Sequence, residues 1–186
     1  MIKFRLLEAE DIECKISHYC ESGGNLTGLN LLLYKTARTD MDLLDETVGP
    51  ENWQDDYKEI KGNLYCGIGV RSAEDKPFIW KWNCGIESRA DGDGNEKKGE
   101  ASDAMKRAGF CWGIGRELYT SPRIYIPVKF FEVKQARNGK YITCDHFEVE
   151  KVAYDDRRHM SGLSIRNESS GQRCFVWVSK KENKNG

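Results

Sequence analysis

Residues 99–119 read Gly-Glu-Ala-Ser-Asp-Ala-Met-Lys-Arg-Ala-Gly-Phe-Cys-Trp-Gly-Ile-Gly-Arg-Glu-Leu-Tyr, and their spacing leaves this segment little choice of structure. At about 3.6 residues per turn, Ala101, Ala104, Met105, Ala108, Cys111, Trp112 and Gly115 fall along one apolar stripe. Most of these side chains are small, so the helix can lie very close to whatever it packs on. Asp103, Lys106, Arg107 and Phe110 recur at three- and four-residue steps on the other side. The pattern predicts a helix with one core face and one face that carries a cation pair beside an aromatic ring.

The segments around this helix predict an α+β chain. Ile12–Cys20 reads as a strand, Glu21–Asn25 as a turn, and Thr36–Val48 as a helix stopped by Gly49-Pro50. Three strand candidates follow, at Trp53–Lys61, Leu64–Arg71 and Phe78–Ile86, with Gly62-Asn63 as the hairpin turn between the first two. Leu64–Arg71 alternates, with Leu64, Cys66, Ile68 and Val70 on one face and Tyr65, Gly67, Gly69 and Arg71 on the other. Phe78, Trp80, Trp82, Cys84 and Ile86 alternate in the same way and read as inward. The expected core is an antiparallel β-β-β-α unit, preceded by the early helix, with the small-residue stripe lying on the Phe78/Trp80/Trp82 face.

Pro122 and Pro127 bracket a short segment and suggest a boundary. The core is therefore expected over residues 1–127, with 128–186 as a small C-terminal β-rich extension. Its strands are expected at Val128–Lys134, Tyr141–Tyr154, Leu163–Asn167 and Arg173–Ser179, with Asn138-Gly139 and Ser170-Gly171 as turns and a frayed tail from 180.

Charge and composition narrow the chemistry. Net charge is −1, so a nucleic-acid binder built on bulk positive charge is excluded, and any such role must rest on a local stripe. Acids gather at Asp40–Glu46, Glu51–Asp56 and Asp91–Glu100, and bases at Lys97–Lys98, Lys106–Arg107 and Arg157–Arg158. No run approaches the roughly 18 apolar residues of a membrane span, and the first residues lack the apolar stretch of a secretory signal. The expectation is a cytoplasmic protein with no membrane partner. The seven cysteines show no C-x-x-C spacing and read as reduced thiols, with Cys66, Cys84 and Cys111 on apolar faces.

Several sites fail on spacing. Asp91-Gly-Asp-Gly-Asn-Glu96 opens like a calcium loop but puts Glu96 at the glycine position and Ser102 where the bidentate glutamate is needed. His18-Tyr-Cys20 and Cys144-Asp-His146 lack structural-zinc spacing. Glu59-Ile-Lys61 and Glu132-Val-Lys134 have the E-x-K form of metal-dependent nucleases, which need a further carboxylate on a neighbouring strand. The nuclease is kept as a remote alternative. Neither a P-loop nor a dinucleotide fingerprint is present, and no cofactor is expected.

Glu100–Ala108 followed by Trp112-Gly-Ile-Gly-Arg-Glu-Leu-Tyr119 resembles the signature helix of the Rad fifty-two family of single-strand annealing proteins, in its short phage and prophage form. Leu31–Arg38 with Leu43–Trp53 is similar to the family's early helix and the Trp after it. Gly62–Val70 and Trp82–Ser88 are similar to the strands that precede the signature helix. The resemblance spans roughly residues 10–127. It implies an ATP-independent protein that binds and anneals single-stranded DNA in homologous recombination and double-strand-break repair. It also implies no enzymatic step and self-assembly into a ring or helical array; a single-strand-binding protein is a candidate further partner, on which the sequence itself is silent. By the same resemblance, Lys106 and Arg107 contact the DNA backbone, Lys15, Tyr34, Lys35 and Arg38 line the groove, and Arg89, Lys97 and Lys98 belong to an outer contact region. Eukaryotic members of the family carry a basic residue where this chain has Phe110, so stacking on a base and packing are both open for that ring. The rival reading is a protective single-strand-binding module that does not anneal.

Overall fold

A computed structural model describes residues 2–86 and 96–179, with Glu96 and Lys97 described by their backbone alone. Its regular elements are β1 (Glu13–Ser22), β2 (Asn25–Tyr34), α1 (Ala37–Val48), β3 (Trp53–Ile60), β4 (Asn63–Val70), β5 (Ile79–Cys84), α2 (Glu96–Trp112), β6 (Ile124–Pro127), β7 (Lys134–Gln135), β8 (Tyr141–Ile142), β9 (Phe147–Tyr154), β10 (Met160–Asn167) and β11 (Arg173–Val178). The fold is α+β, with antiparallel sheets. The expected frayed tail from 180 lies outside the described residues.

The chain divides into two compact units, Met1–Leu7 with Lys35–Arg116, and Glu8–Tyr34 with Glu117–Gly186. This corrects the division at residue 127. Strands β1, β2 and β6, expected in the core, share one six-stranded sheet with β9, β10 and β11, in the order β11-β10-β9-β1-β2-β6. The Pro122–Pro127 segment is a strand of that sheet, pairing Ile124–Pro127 with Gly28–Leu31, rather than a boundary. Strand β2 carries no clean alternation: Asn25, Thr27, Gly28 and Asn30 break its first half, and Leu31–Tyr34 is a continuous apolar run, so the period of two is absent.

In the first unit, β3, β4 and β5 form a meander, and β3 turns into β4 at Lys61–Gly62, both at positive φ, one residue before the expected turn. Helix α2 packs on one face of this sheet and α1 packs on α2. The Thr36 hydroxyl caps α1 by accepting from the Thr39 N–H at 3.2 Å. Cys66, Ile68 and Val70 from β4, Ala104, Met105 and Ala108 from α2, and Leu43 and Leu44 from α1 are all buried in the core. The β4 alternation therefore holds, and so do the central positions of the helix stripe.

The face assigned to β5 is reversed. Antiparallel register sets Trp82 opposite Gly67 and Trp80 opposite Gly69, on the face away from α2. Lys81 and Asn83 point to the helix instead. Lys81 Nζ donates to the Cys111 carbonyl at 3.1 Å and lies 4.2 Å from the Trp112 ring centre, and Asn83 Nδ2 donates to the Arg107 carbonyl at 3.3 Å. The physical reason is the C-terminal end of α2, whose last carbonyls lack helical partners and carry the negative end of the helix dipole. Lys81 answers both needs, and Arg116 adds donors to the Phe110 and Cys111 carbonyls at 2.6 and 2.9 Å.

The second unit is a sheet whose end strands β6 and β11 approach each other, so the sheet curls around its own core. Leu29, Leu31, Ile124, Ile126, Val149, Leu163 and Ile165 fill the interior. The expected strand at Val128–Lys134 is largely a single 3₁₀ turn, and Tyr141–Tyr154 is split into β8 and β9. Asn167, buried at 1% exposure, explains the irregular stretch. Its Nδ2 donates to the Phe130 carbonyl and to Asp145 at 2.9 Å, while its Oδ1 accepts from the Ser169 and Ser170 N–H groups.

Candidate nucleic-acid interface

Lys106 and Arg107 stand on α2 one turn beyond Asp103, and both turn back to it. Arg107 Nε donates to Asp103 at 2.7 Å and Lys106 Nζ lies 3.8 Å from the same carboxylate. Asp103 also accepts from the Ile86 N–H at 3.1 Å. The two cations are half-buried and share one anion, so the cluster carries one net positive charge. Lys98, earlier on α2, is exposed, as is Arg38 in the first turn of α1.

Lys35 does not line a surface. Its side chain is fully buried, its Nζ lies 2.5 and 2.6 Å from the two Asp40 oxygens, and it donates to the Lys106 carbonyl at 3.1 Å. The ammonium sits 4.3 Å from the centre of the Phe110 ring. Phe110 therefore packs on a buried cation within its own unit, which is the packing alternative for that ring. Burial pushes the Asp40 carboxyl up to about 6, against the pull of Lys35 and Lys106. A Cβ at Gly109 would stand 2.4 Å from Asp40 Oδ1, so this glycine lets α1 and α2 close over the ion pair. The groove position of Lys35 rests on the resemblance of Leu31–Arg38 to the family's early helix, whereas Lys35 here follows strand β2 and precedes α1. Asp40, five residues on and one turn into α1, was the available signal for an internal partner.

Lys15 and Tyr34 belong to the other unit. Lys15 is exposed on β1 opposite Leu32, and the Tyr34 hydroxyl donates to Glu13. Burial, with Glu13 beside it, pushes the Tyr34 hydroxyl up to about 12. Arg89 lies outside the described residues, as does the side chain of Lys97. The Asp91–Glu96 loop falls outside them too, except for the Glu96 backbone.

Among the described residues no group of three or more His, Cys, Asp or Glu is placed to hold a metal ion. The Asn30 side-chain amide contacts His18 Nε2 and Cys20 Sγ, each at 2.9 Å, within the sheet. Asp145 accepts from the Glu132 N–H and from Asn167, which commits one of its oxygens to loop structure beside the Glu132-x-Lys134 motif. Of the cysteines expected to be buried, Cys66 is fully so and Cys84 and Cys111 only partly. Burial pushes the Cys66 thiol up to about 11 and the Cys14 thiol up to about 12.

The outer face of the three-stranded sheet carries chemistry that the sequence reading placed in the core. Phe78, Trp80 and Trp82 form a row, with ring centres 6.4 and 5.7 Å apart and the two Trp planes 24° from parallel. The Trp rings lie flat over β4: a Cβ at Gly67 would come within 2.5 Å of Trp82, and one at Gly69 within 2.8 Å of Trp80. Lys58 Nζ stands 4.2 Å from the Trp82 centre, and the Arg71 guanidinium 5.0 Å from the Phe78 centre. The sequence signal was the matched two-residue step of glycines in β4 and tryptophans in β5. No family model, curated protein or solved structure matches the chain.

Proposed function

We propose that this protein binds single-stranded DNA and anneals complementary strands without nucleotide hydrolysis, in homologous recombination and break repair. The observation that carries the reading is the β3-β4-β5-α2 unit itself. Its long helix buries Ala104, Met105 and Ala108 on the sheet and leaves Lys106 and Arg107 half-exposed on another side. The reading is supported by this element order and by Lys106 and Arg107, the two residues to which the resemblance to the Rad fifty-two family gives the DNA backbone. Lys106, Arg107, Arg38 and Lys98 are the phosphate contacts in this reading, and Lys35 and Phe110 support the helix from within.

A single weak cationic cluster explains why assembly belongs to the proposal. Asp103 neutralises one of the two central charges, so one subunit holds a strand poorly, and a track across many subunits multiplies the affinity. Fluorescence anisotropy on a labelled oligonucleotide, followed by real-time annealing to its complement in EDTA without ATP, tests the reading. Binding followed by faster pairing supports it. Binding without annealing favours a protective single-strand-binding module, and cleavage that needs Mg²⁺ favours the nuclease. Native mass spectrometry should show a species many times 21.3 kDa.

A further inference from the structure

We infer that the outer face of the three-stranded sheet is a base-stacking platform for single-stranded nucleic acid, with Trp80 as the ring that a base covers. The inference rests on the single-strand-binding reading and adds a second contact surface to it. Three observations carry it. Large aromatic rings are ordinarily spent on the core, and here Phe78, Trp80 and Trp82 sit half-exposed on the sheet face that α2 does not cover. Glycine inside a strand weakens it and marks close approach of another group. Gly67 and Gly69 give the rings a flat floor, so their planes run along the sheet and present π faces outward.

The third observation is charge. Lys58 stands over Trp82 at one end of the row and Arg71 over Phe78 at the other, and among the described residues no cation covers Trp80. The Arg71 guanidinium is fixed by neutral acceptors: Asn52 Oδ1 at 3.0 Å and the Glu51 and Glu74 carbonyls at 2.8 and 3.0 Å. It keeps its full charge in a set position. Lys58 has Asp56 at 3.2 Å, with both side chains about half exposed, a pair that solvent screens and that a phosphate can replace. An open ring between two cations suits a chain that alternates flat bases with phosphates. A duplex buries its base faces in its own stack, which leaves the single strand as the occupant.

The test uses the full chain and a labelled thymidine oligonucleotide. Trp80→Ala should weaken binding roughly 5- to 160-fold, leave the dependence of log K on log salt unchanged, and leave affinity for an abasic strand of the same length unaltered. Trp80→Phe should restore most of the loss. In the wild-type protein, photocrosslinking to a bromodeoxyuridine strand should label the Ile79–Cys84 peptide, a result that needs no variant to fold. Equal affinity of Trp80→Ala and wild type, or no crosslink on that peptide, overturns the platform while the annealing reading stands if Lys106→Ala/Arg107→Ala still loses DNA. So does a Trp80→Ala protein that breaks up the assembly yet binds DNA normally per subunit, because the face then meets a second copy of the chain. A wild-type protein that binds no oligonucleotide removes both.

Discussion

On the six-stranded sheet, Glu148 and Glu150 stand on one exposed face of β9, and each is met by an arginine. Arg166 reaches Glu148 at 2.5–2.8 Å, and Arg173 reaches Glu150 at 2.6 Å across the intervening Ser164. That face is closed by its own ion pairs. The outer face of the three-stranded sheet differs: its cations lie over aromatic rings, Lys58 with one exposed acid, Asp56, beside it, and Arg71 bonded among the described residues to neutral acceptors alone. The difference teaches where a ligand has something to gain. Displacing a matched ion pair returns little, whereas a cation resting on a ring can exchange that contact for a phosphate.

The largest effect should come from the first unit's buried charge. Lys35→Ala leaves Asp40 buried without its counter-ion and should cost about 3–5 kcal/mol in urea unfolding. Arg166→Ala, which removes a half-exposed pair, should cost about 0–1 kcal/mol. The double change Lys35→Met/Asp40→Leu should recover most of the loss, and equal costs at the two sites would erase the contrast between buried and exposed pairs.

Gly67→Ala probes the flat floor. A methyl 2.5 Å from the Trp82 ring must lift it, at about 1–3 kcal/mol, with a shift in Trp emission. A wild-type melting curve and spectrum would mean that the rings do not rest on β4.

Lys106→Ala/Arg107→Ala should be mild for folding, about 0–1 kcal/mol per lost pair, and should weaken binding to all sequences alike. The slope of log K against log salt should flatten by about 0.7 per lost phosphate contact. Wild-type affinity and slope in a folded double variant would take α2 out of the interface.

Acid separates the two units by sign. Arg173 and Ser164 hold the Glu150 carboxyl down at about 2, so its contribution is complete above its ordinary 4.5 and is lost as pH falls through about 2. Asp40 runs the other way. Burial raises it to about 6, so its contribution is complete below 3.8 and is lost as pH rises through about 6. Unfolding midpoints across pH should show Glu150→Gln flattening the first limb and Asp40→Asn the second; unchanged limbs would deny either group its role.

The sequence by itself determined the local elements. Periodicity and stop signals located α1 between Thr36 and Gly49, the β3–β4 hairpin, and the buried stripe of α2, because capping, turn geometry and amphipathic spacing act within a few residues. The cation pair on α2 was equally legible, since Asp103, Lys106 and Arg107 lie within one helical turn of each other. Tertiary structure decided the rest. Alternation along β5 defines two faces but not which one meets the helix. That choice fell to the Gly67–Trp82 register and to the unpaired carbonyls that Lys81 answers. Strand β2 joined β6 and β9–β11 joined β1 because sheet edges pair across any sequence distance, and no local pattern records the partner. The burial of Lys35 depends on two glycines, at 109 and 115, coming close enough to enclose it, and only the packed fold brings them there.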